Sequence, residues 1–377
     1  MKPKICILTS SHPPLDKRIY NKEALSLVKM GFEIDIIAPT KLNCRDDNNI
    51  NIIGFTRVAK RVLFPVNWIR IYRLALKRRY SIYHFHDPDL LLLGIILKIV
   101  TSRPVIYDVH EHYPERILQY WQQNIFIQLL RMFFENFENL CSRIIHNTIV
   151  VENSQHYRFV KLKCNVIKLF NYAKMDDYVA TIASKRGYNN NVAIHIGSLQ
   201  QSRGAMEFIQ IAKLVYKLNK KIKLVFVDWF YVKKERDLFY AALENEQAQK
   251  YIKIIPPVQS NQITNLLESA DLGLSLLLPI GQSRKAIPTK LFEYMACGLP
   301  IIAEASPYNQ QFVEKNDCGI LVNHNDIEGF ANAIVRLIAN KELMRTMGAN
   351  GKKAFIAKYN WELQENKLRE YYQELCL

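Results

Sequence analysis

This sequence predicts an α/β chain of two Rossmann-like domains, each a doubly wound parallel sheet, facing a central cleft. Three observations carry that expectation. At 377 residues the chain exceeds one hydrophobic core, since domains run to about 150 residues. Its 49% hydrophobic content fills two cores and excludes a disordered chain. Finally, short apolar runs alternate with amphipathic stretches in a grammar that starts again near residue 192.

The first run, residues 4–8, reads as a buried strand. Apolar Ile19, Ala24, Leu25, Leu27 and Val28 then suggest a helix ending at Gly31, and a second strand over 33–38 stops at Pro39. That strand–helix–strand unit opens a doubly wound sheet. Further strands are expected at 50–53, 82–85 and 105–107, with helices over 65–77 and 117–140. Residues 171–191 turn to Asn, Lys, Asp and Gly and mark the passage between domains. The second series has strands at 192–196, 224–227, 272–277 and 300–303, helices at 205–218 and 289–297, and an amphipathic helix at 361–377.

The balance of 51 Lys+Arg against 35 Asp+Glu, a net +16, points to a polyanionic partner: phosphate-bearing substrate, anionic lipid or nucleic acid. Seven scattered Cys without a C-x-x-C pair exclude a disulfide framework or zinc ribbon and fit a reducing compartment. The longest apolar run, 90–97, is too short to span a bilayer and 5–8 too short for a signal core. A soluble, cytoplasmic protein is therefore expected.

Chemistry is densest at 286–300, A-I-P-T-K-L-F-E-Y-M-A-C-G-L-P. Thr289 reads as an N-cap, while Gly298 and Pro300 close the helix. A helix N-terminus at a cleft binds anions through its N–H groups and dipole, and Lys290 adds a formal charge. A capping box would need its acid at Phe292. Glu293 is therefore left either for another partner, such as ribose hydroxyls, or merely for the dipole.

This stretch resembles the C-terminal nucleotide-binding signature of the family-4 glycosyltransferases, retaining enzymes of GT-B fold. In that family the second Glu of an E-x7-E motif holds the nucleotide ribose, and the preceding amides hold the diphosphate. Glu293 matches that Glu, and Thr289, Lys290 and Leu291 match the amide-bearing turn. Lys285 stands where the first Glu would be, which leaves the sugar open; the P-T-K-L-F-E-Y-M form resembles a variant branch. Gly197 and Ser198 followed by Arg203-Gly204 resemble the family's G-x-L…[KR]-G loop, whose cation meets the donor diphosphate. A cation there offsets charge on the leaving phosphate. Asp228-Trp229-Phe230 departs from the glycine turn usual at that place. Residues 107–111 resemble the segment whose His approaches the donor sugar, which implies a catalytic role for His110 beside Arg203 and Lys290.

The resemblance further implies an acceptor-binding domain at 1–172, a nucleotide-sugar-binding domain at 173–357, and a helix at 358–377 that packs back on the first. It implies retention of anomeric configuration, no metal, and no cofactor besides the nucleotide-sugar donor. The acceptor would be a glycan or lipid-linked glycan in bacterial surface polysaccharide synthesis.

Five of the nine His (His12, His84, His86, His110, His112) fall at or beyond predicted strand ends, accompanied by Asp16, Asp87, Asp89, Asp108 and Glu111. The crevice beyond such ends binds ligands in open α/β sheets. His12, Asp16, Arg18, Asp108 and Glu111 are the candidate acceptor-side residues, and 12–18 resembles the D-x-R start of the same branch. Asp87-Pro88-Asp89 spells a metal-binding triplet, too short a match to carry a metal site.

Between Asp47 and Asp87 no acid occurs, while Arg57, Lys60, Arg61, Arg70, Arg73, Lys77, Arg78 and Arg79 interleave with Phe64, Trp68, Ile69, Tyr72 and Leu76. Such a helix suits either an anionic membrane surface or a solvated face over a core stripe. Residues 126–137 are a second candidate, equally readable as core. A cytoplasmic protein peripheral on the inner face of the plasma membrane is the expectation. Two rivals stand beside it: a metal-dependent hydrolase using His84, His86, Asp87, His110 and His112, and a basic nucleic-acid-binding protein. Against the second, no nucleic-acid motif is present, so no nucleic-acid partner is expected.

Overall fold

Runs rich in Ile, Val and Leu become strands because sheets covered on both faces need no polar alternation. The computed structural model describes residues 2–58, 64–110, 125–183, 187–258, 260–281, 283 and 286–376. It divides into unit 1, Met1–Asn171 with Trp361–Leu377, and unit 2, Tyr172–Asn360.

In unit 1 the strands are β1 (Lys4–Leu8), β2 (Glu33–Pro39), β3 (Asn43–Arg45), β4 (Asn51–Phe55), β5 (Ile82–Phe85), β6 (Val105–Val109), β7 (Asn147–Val150) and β8 (Asn165–Lys168). Their order is β3-β4-β2-β1-β5-β6-β7-β8, and only the β3–β4 pair is antiparallel. Alternate residues of β1 serve opposite faces, as strand geometry requires. Cys6 and Leu8 join a core with helices Phe64–Leu76, Leu91–Thr101, Ile125–Ile145 and Asn153–Lys161. Ile5 and Ile7 join another with Ile19, Leu27 and the tail helix Glu362–Cys376, which inserts Leu368, Tyr371 and Tyr372.

Unit 2 holds β9 (Val192–His195), β10 (Lys223–Val227), β11 (Ile252–Ile255), β12 (Leu272–Leu274), β13 (Ile301–Glu304) and β14 (Gly319–Val322). All pairs are parallel in the order β11-β10-β9-β12-β13-β14. Each sheet reverses direction once, between β1 and β5 and between β9 and β12, and these switch points are where open α/β sheets bind ligands.

The two-domain parallel-sheet expectation holds. The strand expected over 272–277 is only three residues long, because its neighbour β9 ends at His195. β3, β7, β8, β11 and β14 escaped the sequence reading; β7, for instance, begins with buried polar Asn147 and Thr148. The helix expected at 117–140 is described from Ile125 to Ile145, and 117–124 lie outside the described residues. Unit 2 runs on to Asn360, which bridges to Ala173 and donates to Phe355 O and Ile356 O at 2.9 and 2.8 Å.

Trp361 opens the tail, fully buried, its Nε1 donating to Ser26 Oγ at 2.9 Å. Truncation would leave a cavity and remove one of the hydrogen bonds of Ser26, whose hydroxyl also reaches Lys22 O. Trp361→Ala should therefore destabilise unit 1 by about 3–5 kcal/mol, read from the midpoint of its urea transition.

Candidate functional site

The unit-2 switch point is organised by Tyr294. Its hydroxyl accepts from Ile196 N at 3.2 Å and donates to Leu274 O at 3.0 Å, so one side chain bridges the diverging ends of β9 and β12. Leu274 O also takes His195 Nδ1 at 3.2 Å, which leaves Nε2 to accept from Lys290 Nζ at 3.1 Å. Burial first, then the charges of Lys290 and Arg203, hold the His195 pKa well below its ordinary value. His195 is thus a neutral acceptor.

Lys290 is itself 5% exposed, and burial together with Arg203 pushes its ammonium well below the usual lysine range, against the pull of Glu304 and Glu293. Gly197 has φ +101°, open to glycine alone without strain. A methyl group there would lie 3.5 Å from Lys290 Nζ and 4.0 Å from Arg203 Nη1. Two basic side chains therefore converge on one glycine at a switch point, an arrangement in which an added anion favours the charged form of Lys290. Gly204, φ +68°, starts the helix Ala205–Leu218 beside Arg203; a methyl on it would strike Leu276 at 2.5 Å. Ser198 Oγ is buried without a hydrogen-bond partner.

Two expectations for the 286–298 segment need correction. Thr289 has helical φ/ψ and its side chain makes no cap bond; the helix is Lys290–Ala296. The Leu291 amide is occupied, donating to Pro288 O at 3.1 Å, and Phe292 N donates to Thr289 O at 3.2 Å, so the tight turn consumes donors expected to face a ligand. Glu293 is buried and takes a hydrogen bond from the Tyr178 hydroxyl. Lys285 lies outside the described residues.

Sequence reasoning passed over His195, Tyr178, Tyr294 and Glu304. Glu304 ends β13, so the strand-end rule applied to the first half of the chain would have found it. Leu277 N and Asn309 Nδ2 donate to its two oxygens at 3.0 and 2.7 Å. Burial nonetheless wins and pushes its carboxyl up to about 7.

At the unit-1 switch point, Asp87 accepts from Thr9 Oγ1 at 2.6 Å, from Ser10 N at 2.8 Å and from Ser11 Oγ. Its carboxylate knits β1 to β5 and is spent on those donors. His12 stands 3.5 Å from Asp87 and 3.7 Å from Asp16. Burial opposes ionisation of Asp16, but bonds from His12 and from the Ile19 and Arg18 amides outweigh it and hold the carboxyl at about 2. Asp16 therefore fixes the start of helix Ile19–Ala24 as well as orienting His12.

Arg18 and Asp108, expected to face an acceptor, are instead buried against each other at 2.7 Å, with Arg18 Nε 2.9 Å from Glu23. Glu23, His84, His86 and Asp108 are all fully buried, and one ligand-type atom from each lies within 4.8 Å of the others. Among the described residues these are the ones with metal-ligand geometry. Arg18 pairs with the Asp108 carboxylate and lies beside Glu23, so they form a buried ion network in which Arg18 occupies the cationic role. Burial and Asp108 push Glu23 well up; Asp108, resisting burial through Arg18, His110 and His84, stays well down. The network ends at His110, whose Nδ1 is 3.5 Å from Asp108 Oδ1 and whose ring meets His12 edge-on at 5.2 Å. His110 and His12 are the partly exposed members. Glu111 and His112 lie outside the described residues.

The basic helix Phe64–Leu76 turns Ile71 and Ala75 into the core, and Arg70 donates to Thr56 O. Residues 126–137, readable as core, prove largely exposed: Phe126 by 62% and Phe133 by 63%. Among the described residues no helix is long and apolar enough to cross a membrane.

Two parallel-sheet units, one with a cationic switch point, define the GT-B class. The fold is shared with sucrose-phosphate synthase from Thermosynechococcus elongatus at TM-score 0.77, 16% identity and 99% of both chains covered. It is shared too with Anabaena HepE in complex with UDP and glucose, at TM-score 0.73, 16% identity and 98% and 99% covered. The chain belongs to the family-4 glycosyltransferases: the Glycosyltransferase Family 4 model matches residues 23–163 and the Glycosyl transferases group 1 model residues 182–354. It is 24% identical over 321 residues to the Escherichia coli UDP-Gal:alpha-D-GlcNAc-diphosphoundecaprenol alpha-1,3-galactosyltransferase, covering 82% of this chain and 79% of the relative. It is 20% identical over 312 residues to Bacillus anthracis N-acetyl-alpha-D-glucosaminyl L-malate synthase, covering 75% and 78%. The protein is a glycosyltransferase.

Glu304 makes stability in unit 2 pH-dependent. A carboxyl raised from 4.5 to about 7 by folding contributes stability that is complete below its unfolded pKa and lost as pH rises through 7. Urea titrations of wild type against Glu304→Gln should diverge by roughly 3 kcal/mol between those limits, wild type weakening with rising pH.

Proposed function

We propose that the enzyme moves a sugar from a nucleoside diphosphate donor to a hydroxyl of a glycan or lipid-linked glycan. Transfer retains anomeric configuration without a metal and belongs to bacterial surface polysaccharide synthesis at the inner face of the plasma membrane. The observation that carries this reading is the convergence of Lys290 and Arg203 on Gly197 at the β9/β12 switch point. The named substrate of the Escherichia coli relative, a diphosphoundecaprenol-linked sugar, supports the lipid-linked acceptor.

In this reading Lys290 and Arg203 hold the diphosphate, assisted by the Gly197-Ser198 loop and the amino end of helix Ala205–Leu218. As the bond from the anomeric carbon to the diphosphate breaks, negative charge gathers on the leaving oxygen, where those cations stand. The acceptor oxygen bonds the anomeric carbon and gives its proton to the leaving phosphate. Glu293, steadied by Tyr178, accepts from the ribose hydroxyls. His110, oriented by Asp108, positions the sugar, with His12 and Asp16 on the acceptor side.

Isothermal titration with UDP-, GDP- and dTDP-sugars tests the proposal. One donor should bind, and Glu293→Ala should weaken it about 10- to 100-fold, as expected for a bond to a charged group, with the chain still folded but its thermal midpoint lowered by loss of the Tyr178 bond. Unchanged affinity would remove Glu293 from the donor site. Binding should also take up protons, because the diphosphate restores the depressed Lys290 pKa. Affinity then falls as pH rises through the free-state pKa. Heats measured in two buffers of different ionisation enthalpy read that uptake, and Lys290→Met should abolish it.

A further inference from the structure

Helices Leu91–Thr101 and Ile125–Ile145 lie side by side, because Lys98 Nζ donates to Ile144 O at 2.8 Å and Ile145 O at 3.0 Å and closes the carboxyl end of the longer helix. Each helix turns one apolar stripe to the sheet: Leu93 and Leu97 on the first, Ile127 and Ile145 on the second. Each also turns a second apolar stripe away from it. Ile96, Ile99 and Val100 recur at helical spacing on the first helix; on the second the stripe runs from Phe126, Leu129 and Phe133 through Leu140 to Ile144, next to Lys98. Ile99 is 70% exposed, and Leu129 57%. An ordinary surface helix puts polar groups there. Contiguous apolar patches of this kind mark a binding surface.

The charges around the patch indicate its partner. No acid occurs between Leu90 and Tyr107. On the longer helix Glu138 is buried, accepting from Arg158 at 2.7 Å and Tyr107 at 2.8 Å, and Glu135 also approaches Arg158 at 4.0 Å. Arg103, Arg131 and Arg143 remain exposed at the border. The apolar field is thus edged by cations, its acids drawn toward Arg158. We propose that this two-helix face seats the enzyme in the plane of an anionic bilayer. Its aromatic and aliphatic side chains would enter the acyl boundary and its arginines meet lipid phosphates. The neighbouring Phe64–Leu76 helix, first expected to make that contact, turns Ile71 and Ala75 inward, and the nearby Arg78 pairs with Asp35.

The inference concerns lipid contact only and stands apart from the donor site, whose titration is a separate readout. The full chain should cosediment with vesicles of equimolar phosphatidylglycerol and phosphatidylcholine and much less with phosphatidylcholine alone. Phe126→Glu combined with Phe133→Glu should lower partitioning at least about tenfold, with the thermal midpoint and donor affinity retained. Phe133→Trp should gain blue-shifted emission quenched by brominated lipid, and this decides the matter even if the doubly charged variant fails to fold. Undiminished vesicle binding by the folded double variant, or no quenching at position 133, would overturn the proposal. So would a wild-type dimer in light scattering that the double variant converts to monomer without vesicle binding at either stage.

Discussion

The hydroxyl of Tyr294, wedged where β9 and β12 part, is the constraint on which the switch point of unit 2 depends. Gly273 permits it, since a methyl group there would meet the ring at 2.5 Å. Once Tyr294 is anchored to both strands, the short helix has no freedom to rotate. Lys290, one turn earlier on the same helix, is then pressed against His195, and Glu293 is fixed beside Tyr178. A lysine buried this way costs solvation, and its depressed pKa measures that cost.

Unit 1 handles buried charge differently. Arg18 neutralises Asp108 inside the protein while burial and Asp108 push Glu23 toward its uncharged form, with His84 held from the other side by Tyr372 at 2.7 Å. Breaking such a network is costly because it leaves a charge without compensation. What it supplies is orientation: Asp108 faces Arg18 with one oxygen and His110 with the other. A ring at the surface is thereby fixed by a cluster that never reaches solvent.

The architecture was legible because its strands are apolar runs and its helices are periodic. Periodicity has no grip on short strands that start with polar residues, and so β7 went unread. Gly197, Arg203, Lys290 and Glu293 were found through a resemblance rather than through spacing. His195 and Glu304 were missed because a residue at the end of an apolar run looks like part of the run. Arg18 and Asp108 were misplaced for the opposite reason. Linear position shows that a charge lies near a strand end, but whether it faces solvent or a partner depends on contacts from residues as distant as Tyr372. The outward stripe of helix Ile125–Ile145 was equally ambiguous, since one period describes a core-facing and a lipid-facing helix alike.

Unit 2 lies within the sequence of unit 1, which closes only when Trp361 through Tyr372 enter its core. Translation proceeds from the amino terminus, so the opening domain emerges first yet is finished last. Nascent unit 1 must wait, with Ser26 and His84 lacking their tail partners, while the whole of unit 2 is made. A chain released at Asn360 would therefore hold all of unit 2 but leave unit 1 open to chaperones.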